Sequence, residues 1–309
     1  MDLTRREFGK LALAGTAGLT GFDRVVEASA LQSDAPNRSW FKGVQFGLQP
    51  FCYHDLPMTP ENRGTLITRL VQNGMGMVEL HATWVEPRFN EPGTSATEAR
   101  EKLRAWRVSA PADHYRAVRD EFDKAGITIF SYYINPDDSF TDAEVDATFE
   151  GGKLLGARGC VGSFGLRMAH RLAPFPGRHG MFLGLHNHAN LSDPDAFNTE
   201  ASFEKGLAYS PHFRATLDVR HFTAANGDCL GFVARHHDRM ASLHLGDRRR
   251  NNGRSTPFGE GDAPIIEILR MLRDNRWPIV ALLEFEHGTL RTEVEEVQLM
   301  FDYCKRALA

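Results

Sequence analysis

Short apolar runs alternate with amphipathic stretches from residue 43 to the end of the chain. This alternation is typical of an α/β fold in which helices connect neighbouring parallel strands. The strand-like runs number eight, and they are Val44–Leu48, Met77–Leu80, Ile127–Ile134, Arg158–Val161, Phe182–His186, Ala215–Val219, Met240–Leu245 and Ile279–Phe285. Eight strand–helix repeats without a Pro/Gly-rich linker predict a single (β/α)8 TIM barrel over residues 43–309.

Helix patterns lie between the strand-like runs. Thr141 and Glu144 have the spacing of a capping box, which predicts a helix that starts at this point. The segment Glu86–Trp106 is polar and contains Pro and Gly, so we expect a long loop followed by a helix. The clearest apolar stripes at helical spacing run over Tyr115–Ala125, Ile265–Leu272 and Val294–Cys304.

The composition excludes several classes of protein. The 309-residue chain has 36 Lys and Arg against 40 Asp and Glu, which gives a net charge of −4. Without a basic block longer than Arg248–Arg250, the sequence argues against a nucleic-acid partner. The four cysteines form no Cys-x-x-Cys pair, so we expect them to be buried and unpaired.

The N-terminus has the features of an export signal. Residues 4–10 contain Arg5-Arg6 followed by Phe8, a weakly apolar run extends from Leu11 to Phe22, and Ala28-Ser29-Ala30 forms a small-x-small cleavage site. We predict a twin-arginine signal peptide over residues 1–30, a linker over residues 31–42 and a periplasmic location. The apolar run is too short for a stable membrane anchor.

Carboxylates and imidazoles follow the strand-like runs. TIM-barrel enzymes carry their working side chains at the carboxyl ends of the strands, so these residues are candidates for chemistry. His186 and His188 share one face of their strand because strand side chains alternate, and so do Glu284 and Glu286. The candidates, in chain order, are Glu79, His186, His188, Asp218, His221, His244, Glu284 and Glu286.

Four of these groups predict a metal site. Side chains of His186, Asp218, His244 and Glu284 end four consecutive strands and would converge on the barrel axis. Buried unpaired charges at strand ends are costly, so this group needs a common counter-charge, which a cation provides. A mixed nitrogen and oxygen site suits one divalent ion such as Mn²⁺, Zn²⁺, Co²⁺ or Fe²⁺, and we expect Mn²⁺.

Several segments together resemble the xylose isomerase-like TIM barrels, a superfamily that includes tagatose 3-epimerase, inosose dehydratase and the endonuclease IV fold. The resemblance covers about residues 43–308 and is carried by Leu217-Asp218-Val219-Arg220-His221, His244-Leu245-Gly246-Asp247, Gly259-Glu260-Gly261-Asp262 and Leu283-Glu284-Phe285-Glu286. It implies that Asp218, His244 and Glu284 are metal ligands, and that His221 and Arg250 contact the substrate.

His186 departs from the pattern of this superfamily, in which the fifth strand supplies a glutamate. Epimerases of this type use two metal-bound glutamates as a facing acid/base pair, and such a pair is missing here. The Leu-His-Asn-His segment instead resembles inosose dehydratase and the lyases that cleave 3-keto-glycosides, in which one base removes a proton and a neighbouring group leaves.

The resulting hypothesis is a metal-dependent enzyme whose partner is a small-molecule sugar or glycoside. It would enolise a keto-sugar or keto-glycoside beside the carbonyl and eliminate a neighbouring group. Glu284, Glu286 or His188 would be the base, and Glu79 would lie beside the substrate. The alternatives are a sugar isomerase or epimerase and a non-catalytic periplasmic carbohydrate-binding protein, and barrels of this type often form homo-oligomers.

Overall fold

A computed structural model describes residues 37–309 of the chain. The predicted signal peptide, residues 1–30, lies outside the described residues, as does the first half of the predicted linker. Trp40–Phe41, within the predicted linker, forms a short strand that pairs antiparallel with the first barrel strand. Ser39 fixes this entry segment, since its hydroxyl donates to the carbonyl of Phe46 at 2.7 Å.

The described residues contain a closed barrel of eight parallel strands, each within a few residues of its predicted bounds. The strand β1 pairs with both β2 and β8, and this double pairing closes the sheet. The prediction of a single (β/α)8 barrel is confirmed. The strands are β1 Val44–Leu48, β2 Met77–His81, β3 Thr128–Tyr133, β4 Gly159–Gly162, β5 Phe182–His186, β6 Phe213–Asp218, β7 Met240–Leu245 and β8 Val280–Leu283.

Helices surround the barrel and connect its strands. Their buried faces carry the predicted apolar stripes, for example Ile265, Ile268, Leu269 and Leu272 in the helix before β8. The helices are α1 Arg63–Gln72, α2 Ala96–Ser109, α3 Ala112–Lys124, α4 Asp142–Leu154, α5 Leu166–Leu172, α6 Phe175–His179, α7 Glu200–Leu207, α8 Val219–Ala224, α9 Cys229–His236, α10 Ile265–Asn275 and α11 Glu293–Leu308.

The predicted capping box at α4 forms only in part. The Thr141 side chain accepts the backbone N–H of Glu144 as expected. The Glu144 carboxylate does not return to the cap, because Arg100 and Arg107 of α2 donate to it at 2.8 and 2.7 Å. Its side chain is completely buried. This glutamate therefore anchors α2, which lies in the long β2–β3 connection, to α4, which follows β3.

An apolar layer lies beneath the polar strand ends. Met77 is two residues before Glu79, and Leu282 is two residues before Glu284, so each apolar side chain lies on the same strand face as the carboxylate above it. Both belong to a small buried cluster that is separate from the main core. The polar residues therefore lie above a buried apolar layer.

All four cysteines are free and buried, as expected from their spacing. Cys160 lies in β4, Cys229 in α9 and Cys304 in α11, whereas Cys52 lies in a 3-10 turn. Burial raises the pKa of the Cys229 thiol to about 12. Among the helices of residues 37–309, none is long and apolar enough to cross a membrane.

Candidate metal and active site

The four predicted metal ligands come together at the carboxyl ends of β5 to β8. His186 and Asp218 are the last residues of β5 and β6, His244 lies in β7, and Glu284 directly follows β8. One potential ligand atom of each residue lies within 4.8 Å of the others, and all four residues are buried. Strand geometry thus creates the cluster from positions that are far apart in sequence.

The His244 imidazole is the centre of this cluster. Its Nδ1 atom lies 2.9 Å from Glu284 Oε2 and 3.1 Å from His186 Nε2. His186 Nε2 in turn lies 3.7 Å from Asp218 Oδ2. Four nitrogen and oxygen atoms with lone pairs therefore face each other across short distances, an arrangement that a proton or a cation must stabilise.

Glu79 lies behind His244, with its side chain completely buried. Its Oε1 atom is 2.9 Å from His244 Nε2, and its Oε2 atom accepts the hydroxyl of Ser131 at 2.7 Å. Because a carboxylate only accepts, His244 donates from Nε2 and can offer the Nδ1 lone pair to the cluster. Contact between Glu79 and a substrate remains a prediction.

These residues fit a divalent metal ion. Two imidazole nitrogens and two carboxylates are the donor set that Mn²⁺, Zn²⁺, Co²⁺ and Fe²⁺ accept in proteins. A ligating histidine usually donates its second N–H to a carboxylate, which is the position that Glu79 occupies. The group could therefore hold a metal through His186, Asp218, His244 and Glu284.

Arg220 is a buried cation beside the cluster, with 1% of its side chain exposed. Its Nη2 atom donates to Asp218 Oδ2 at 2.9 Å and lies 3.5 Å from Glu284 Oε2. Its Nη1 atom lies 2.8 Å from Glu286 Oε2. Sequence reasoning missed this residue, although it stands inside the Asp218–His221 segment that carried the resemblance.

The charges in the cluster shift its pKa values. Burial alone would raise the pKa of Glu284, but Arg220 and His244 outweigh burial and lower this pKa to about 2. Burial would likewise raise the pKa of Asp218, yet Arg220 and His221 hold it well below its usual range. Burial would lower the pKa of His244, but Glu79 and Glu284 raise it well above its ordinary value. The raised pKa means that His244 holds a proton on Nδ1 when no metal is bound. A metal that binds Nδ1 would displace that proton.

A second layer of histidines lies above the cluster. The rings of His188 and His221 are 4.8 Å apart, and Arg248 Nη1 lies 3.1 Å from His221 Nδ1. Burial and nearby positive charge lower the pKa of His188 to about 4. Burial also lowers the pKa of His221 to about 3, against the opposing effect of Asp218. Both rings are therefore neutral at pH 7.

Ser163 connects the two layers through its hydroxyl group. Its Oγ atom lies 3.1 Å from His186 Nδ1 and 2.9 Å from His188 Nε2. The hydroxyl of Tyr133, the last residue of β3, also contacts it. Ser163 was not predicted, since a lone serine after a short Gly-rich strand carries no distinctive pattern in the sequence.

Glu286 lies at the edge of the mouth, with 35% of its side chain exposed. Burial and the neighbouring Glu284 carboxylate raise its pKa, although Arg220 acts in the opposite direction.

Arg250 is exposed, and its backbone N–H donates to Asp262 at 2.9 Å. In the segment Arg248–Arg250, the side chain that contacts His221 belongs to Arg248. The role predicted for Arg250 stays a prediction.

Asp247 holds the loop that contains Gly259-Glu260-Gly261. The Asp247 carboxylate is buried and accepts the backbone N–H groups of Arg248, Gly259, Gly261 and Ala263 at 2.8 to 3.1 Å. Gly259 has a φ of 86°, a conformation that favours glycine. The segment therefore has a structural role beside the mouth.

A second group of metal-ligand types, Glu200, Glu204 and His236, lies on α7 and α9. Arg235 donates two hydrogen bonds to Glu200, each at 2.7 Å, and His236 contacts the same carboxylate at 2.9 Å. The charge of Glu200 is thus already balanced. His236 therefore has a structural partner in Glu200.

The described residues form a (β/α)8 TIM barrel with a group of potential metal ligands at the carboxyl ends of its strands. The protein family described as "Xylose isomerase-like TIM barrel" matches residues 166–304, which include the four cluster residues. No curated protein matches the chain.

Solved structures with the same fold share little sequence with this chain. D-psicose 3-epimerase from Clostridium cellulolyticum H10 has 13% identity and a TM-score of 0.61, covering 86% of this chain and 99% of its own. The 3-keto-D-glucoside 4-epimerase from E. coli has 12% identity and a TM-score of 0.60, covering 85% and 99%. A probable 3-DHS dehydratase from Bacillus anthracis has 12% identity and a TM-score of 0.59, covering 83% and 98%.

Proposed function

We propose that this protein is a divalent-metal-dependent carbohydrate enzyme that acts on a keto-sugar or keto-glycoside. In this reaction it removes a proton beside the carbonyl and eliminates a neighbouring substituent. The observation that carries the proposal is the buried group of two histidines and two carboxylates at the mouth of the barrel. The fold of known sugar epimerases and of a dehydratase supports it.

The metal would be held by His186, Asp218, His244 and Glu284. When bound, a divalent ion polarises a carbonyl oxygen and so makes the neighbouring C–H group more acidic. The residues above the cluster would then face the sugar, because they border the ligand group on its solvent side. These are His188, His221, Arg248 and Glu286.

Glu286 is the strongest candidate for the base. A carboxylate with a raised pKa is a better proton acceptor than Glu284, whose pKa is lowered to about 2. Glu286 would remove the proton from the carbon between the carbonyl and the acetal carbon. The electron pair of that C–H bond forms a C=C double bond as the acetal C–O bond breaks, and the protonated Glu286 returns the proton to the departing oxygen.

His186 favours this one-sided reaction over epimerisation. Epimerisation requires an acid and a base on opposite faces of one carbon. His186 is held between His244 and Ser163, within hydrogen-bond distance of both, so its ring is committed on both nitrogens. A sugar epimerase remains the second candidate function, because two of the similar structures are sugar epimerases.

A direct test is to incubate the protein with methyl 3-keto-β-D-glucoside and Mn²⁺ and to follow methanol release by NMR. We expect release with Mn²⁺, none after chelation, and a loss of at least 100-fold in kcat for Glu286→Gln with Mn²⁺ affinity unchanged. Inversion of free D-fructose or D-psicose without methanol release would establish the epimerase instead. Sugar binding without any turnover would indicate a carbohydrate-binding protein.

The metal site is tested separately by calorimetric titration with Mn²⁺. Asp218→Asn keeps an oxygen that can accept the His221 N–H but removes the charge, so we expect Mn²⁺ affinity to fall at least 100-fold. Asp228→Asn is the matched control, because Asp228 caps α9 in the same manner and makes no contact with the cluster. Equal Mn²⁺ affinity in both variants would contradict the assigned ligand set.

A further inference from the structure

A cavity of about 460 Å³ lies beside the mouth of the barrel, at the carboxyl ends of β2 and β3. Its walls come from the loop after β2, from α2 and from the loop after β3. This volume is within the range of pockets that hold small organic molecules. The long β2–β3 connection thus builds a compartment that none of the assignments above uses.

His81 and Tyr133 join the cavity to the candidate active site. Both line the cavity, and their rings are stacked with centroids 4.2 Å apart. Tyr133 also contacts the hydroxyl of Ser163, which contacts His186 and His188. A substituent of a sugar bound above the cluster would therefore reach the cavity past this pair of rings.

The wall of the cavity is aromatic and apolar over much of its surface. Phe89, Leu103 and Phe140 line it together with Tyr133. The guanidinium groups of Arg100 and Arg107 lie 4.8 and 4.6 Å from the centre of the Phe140 ring. Flat aromatic and guanidinium surfaces of this kind favour a flat, aromatic ligand.

The charged groups around this wall are paired with one another. Arg100 and Arg107 line the cavity together with the carboxylates of Glu86 and Asp137. Both arginines bind the buried carboxylate of Glu144, and Arg107 also binds Glu86. The aromatic surface, rather than a net charge, would therefore select the ligand.

We propose that this cavity is the leaving-group subsite of the enzyme and that it takes an aromatic alcohol. The inference rests on the proposed function, since of the two candidate reactions only elimination from a glycoside releases such a group, and epimerisation does not. In that step the acetal C–O bond breaks toward the oxygen, which leaves with the electron pair and receives the proton carried by Glu286. The aromatic wall holds the ring of the leaving group while the proton is transferred.

Two variants test the subsite without changing the cluster. Ala99→Trp, on the cavity face of α2, would fill the cavity, and Phe89→Ala would remove part of its aromatic wall. Ala105→Trp is the matched control, because Ala105 is exposed on the same helix. Thermal unfolding of each variant shows whether the helix is intact.

The first measurement is calorimetric binding of 4-nitrophenol, with cyclohexanol for comparison, and needs no turnover. We expect the protein to prefer 4-nitrophenol, and Ala99→Trp to weaken its binding at least tenfold while Ala105→Trp leaves it unchanged. Phe89→Ala should weaken it about threefold to tenfold, as expected for one lost aromatic contact. Equal binding in Ala99→Trp and Ala105→Trp would overturn the subsite.

The second measurement compares 4-nitrophenyl with methyl 3-keto-β-D-glucoside as substrates. We expect kcat/KM to be at least tenfold higher for the aryl glycoside. This preference should fall most in Ala99→Trp, less in Phe89→Ala and not at all in Ala105→Trp. If neither glycoside reacts, the proposed function fails. Binding of 4-nitrophenol then still tests whether the cavity binds an aromatic alcohol. If both react equally well in all variants, the proposed function stands and the subsite is overturned.

Discussion

At the scale of single residues, Arg220 determines the charge balance of the metal-free site. It contacts Asp218, Glu284 and Glu286 while almost fully buried. Replacing it with Met would leave buried carboxylates without a partner, so we expect the free energy of unfolding in EDTA to fall by about 3–5 kcal/mol. Chemical denaturation measures this loss, and Arg220→Lys is the control that keeps the charge.

The same variant makes a prediction about metal binding. Mn²⁺ should stabilise Arg220→Met by more than it stabilises the unaltered protein, because the ion supplies the lost positive charge. The increase in melting temperature at equal Mn²⁺ concentration reports this difference. An equal increase in the two proteins would show that Arg220 does not share its charge with the metal site.

The lowered pKa of His81 predicts that the metal-free protein loses stability in acid. Burial lowers the pKa of His81 to about 4, from an ordinary value of 6.5. The unfolded chain therefore binds a proton more readily than the folded one between pH 6.5 and 4, so stability falls as the pH drops through this window. We expect His81→Gln to flatten the dependence of the unfolding free energy on pH in EDTA. The same substitution at His170, on α5, is the control, and an equal effect of both would contradict the assignment.

The candidate ligands could be predicted because they end consecutive strands. Strand alternation and barrel closure bring such positions together without any knowledge of side-chain conformation. Arg220 and Ser163 could not be predicted in this way. Their contacts depend on how a side chain turns back over a strand end, and no periodic pattern records that direction.

At the scale of secondary-structure elements, the loop 257–264 depends on Asp247. This single carboxylate accepts four backbone N–H groups, three of them from that loop. Asp247→Ala would leave these partly buried N–H groups without their acceptor, and we expect a loss of about 3 kcal/mol in the free energy of unfolding. Asp228→Ala, which removes an exposed helix cap, should cost about 1 kcal/mol. Limited proteolysis should cut the loop faster in the Asp247 variant, and no change in cleavage would contradict this role.

The bounds of the strands were predicted closely, whereas the start and end of α2 were not predicted. Continuous apolar runs between turn signals identify buried parallel strands, and all eight agree with the structure within a few residues. The helix α2, Ala96–Ser109, has no fully buried residue and therefore no strong apolar stripe. Its arginines hold it through Glu86 and Glu144, and such ion pairs between distant segments leave no periodic signal.

At the scale of the whole molecule, the twin-arginine pattern predicted from the sequence leads to a prediction about export. We predict that residues 1–30 direct the folded chain through the twin-arginine route into the periplasm. Replacing Arg5 and Arg6 together with Lys should therefore keep the protein in the cytoplasm, as fractionation and immunoblotting would show. Arg24→Lys, in the same segment, is the control. Export of the double variant at the normal level would exclude this route.

The Ser163 hydroxyl has only one hydrogen for three neighbours, and this limits how the site can arrange its hydrogens. If the Nε2 lone pair of His186 serves a cation, the ring must carry its hydrogen on Nδ1, and Ser163 must accept it. Tyr133 can donate to the second lone pair of the same oxygen, so the serine hydrogen is directed at His188 Nε2. A cation bound by the cluster would thus determine which nitrogen of His188 carries the hydrogen, and the bound ion could be detected as a change in the tautomer of His188.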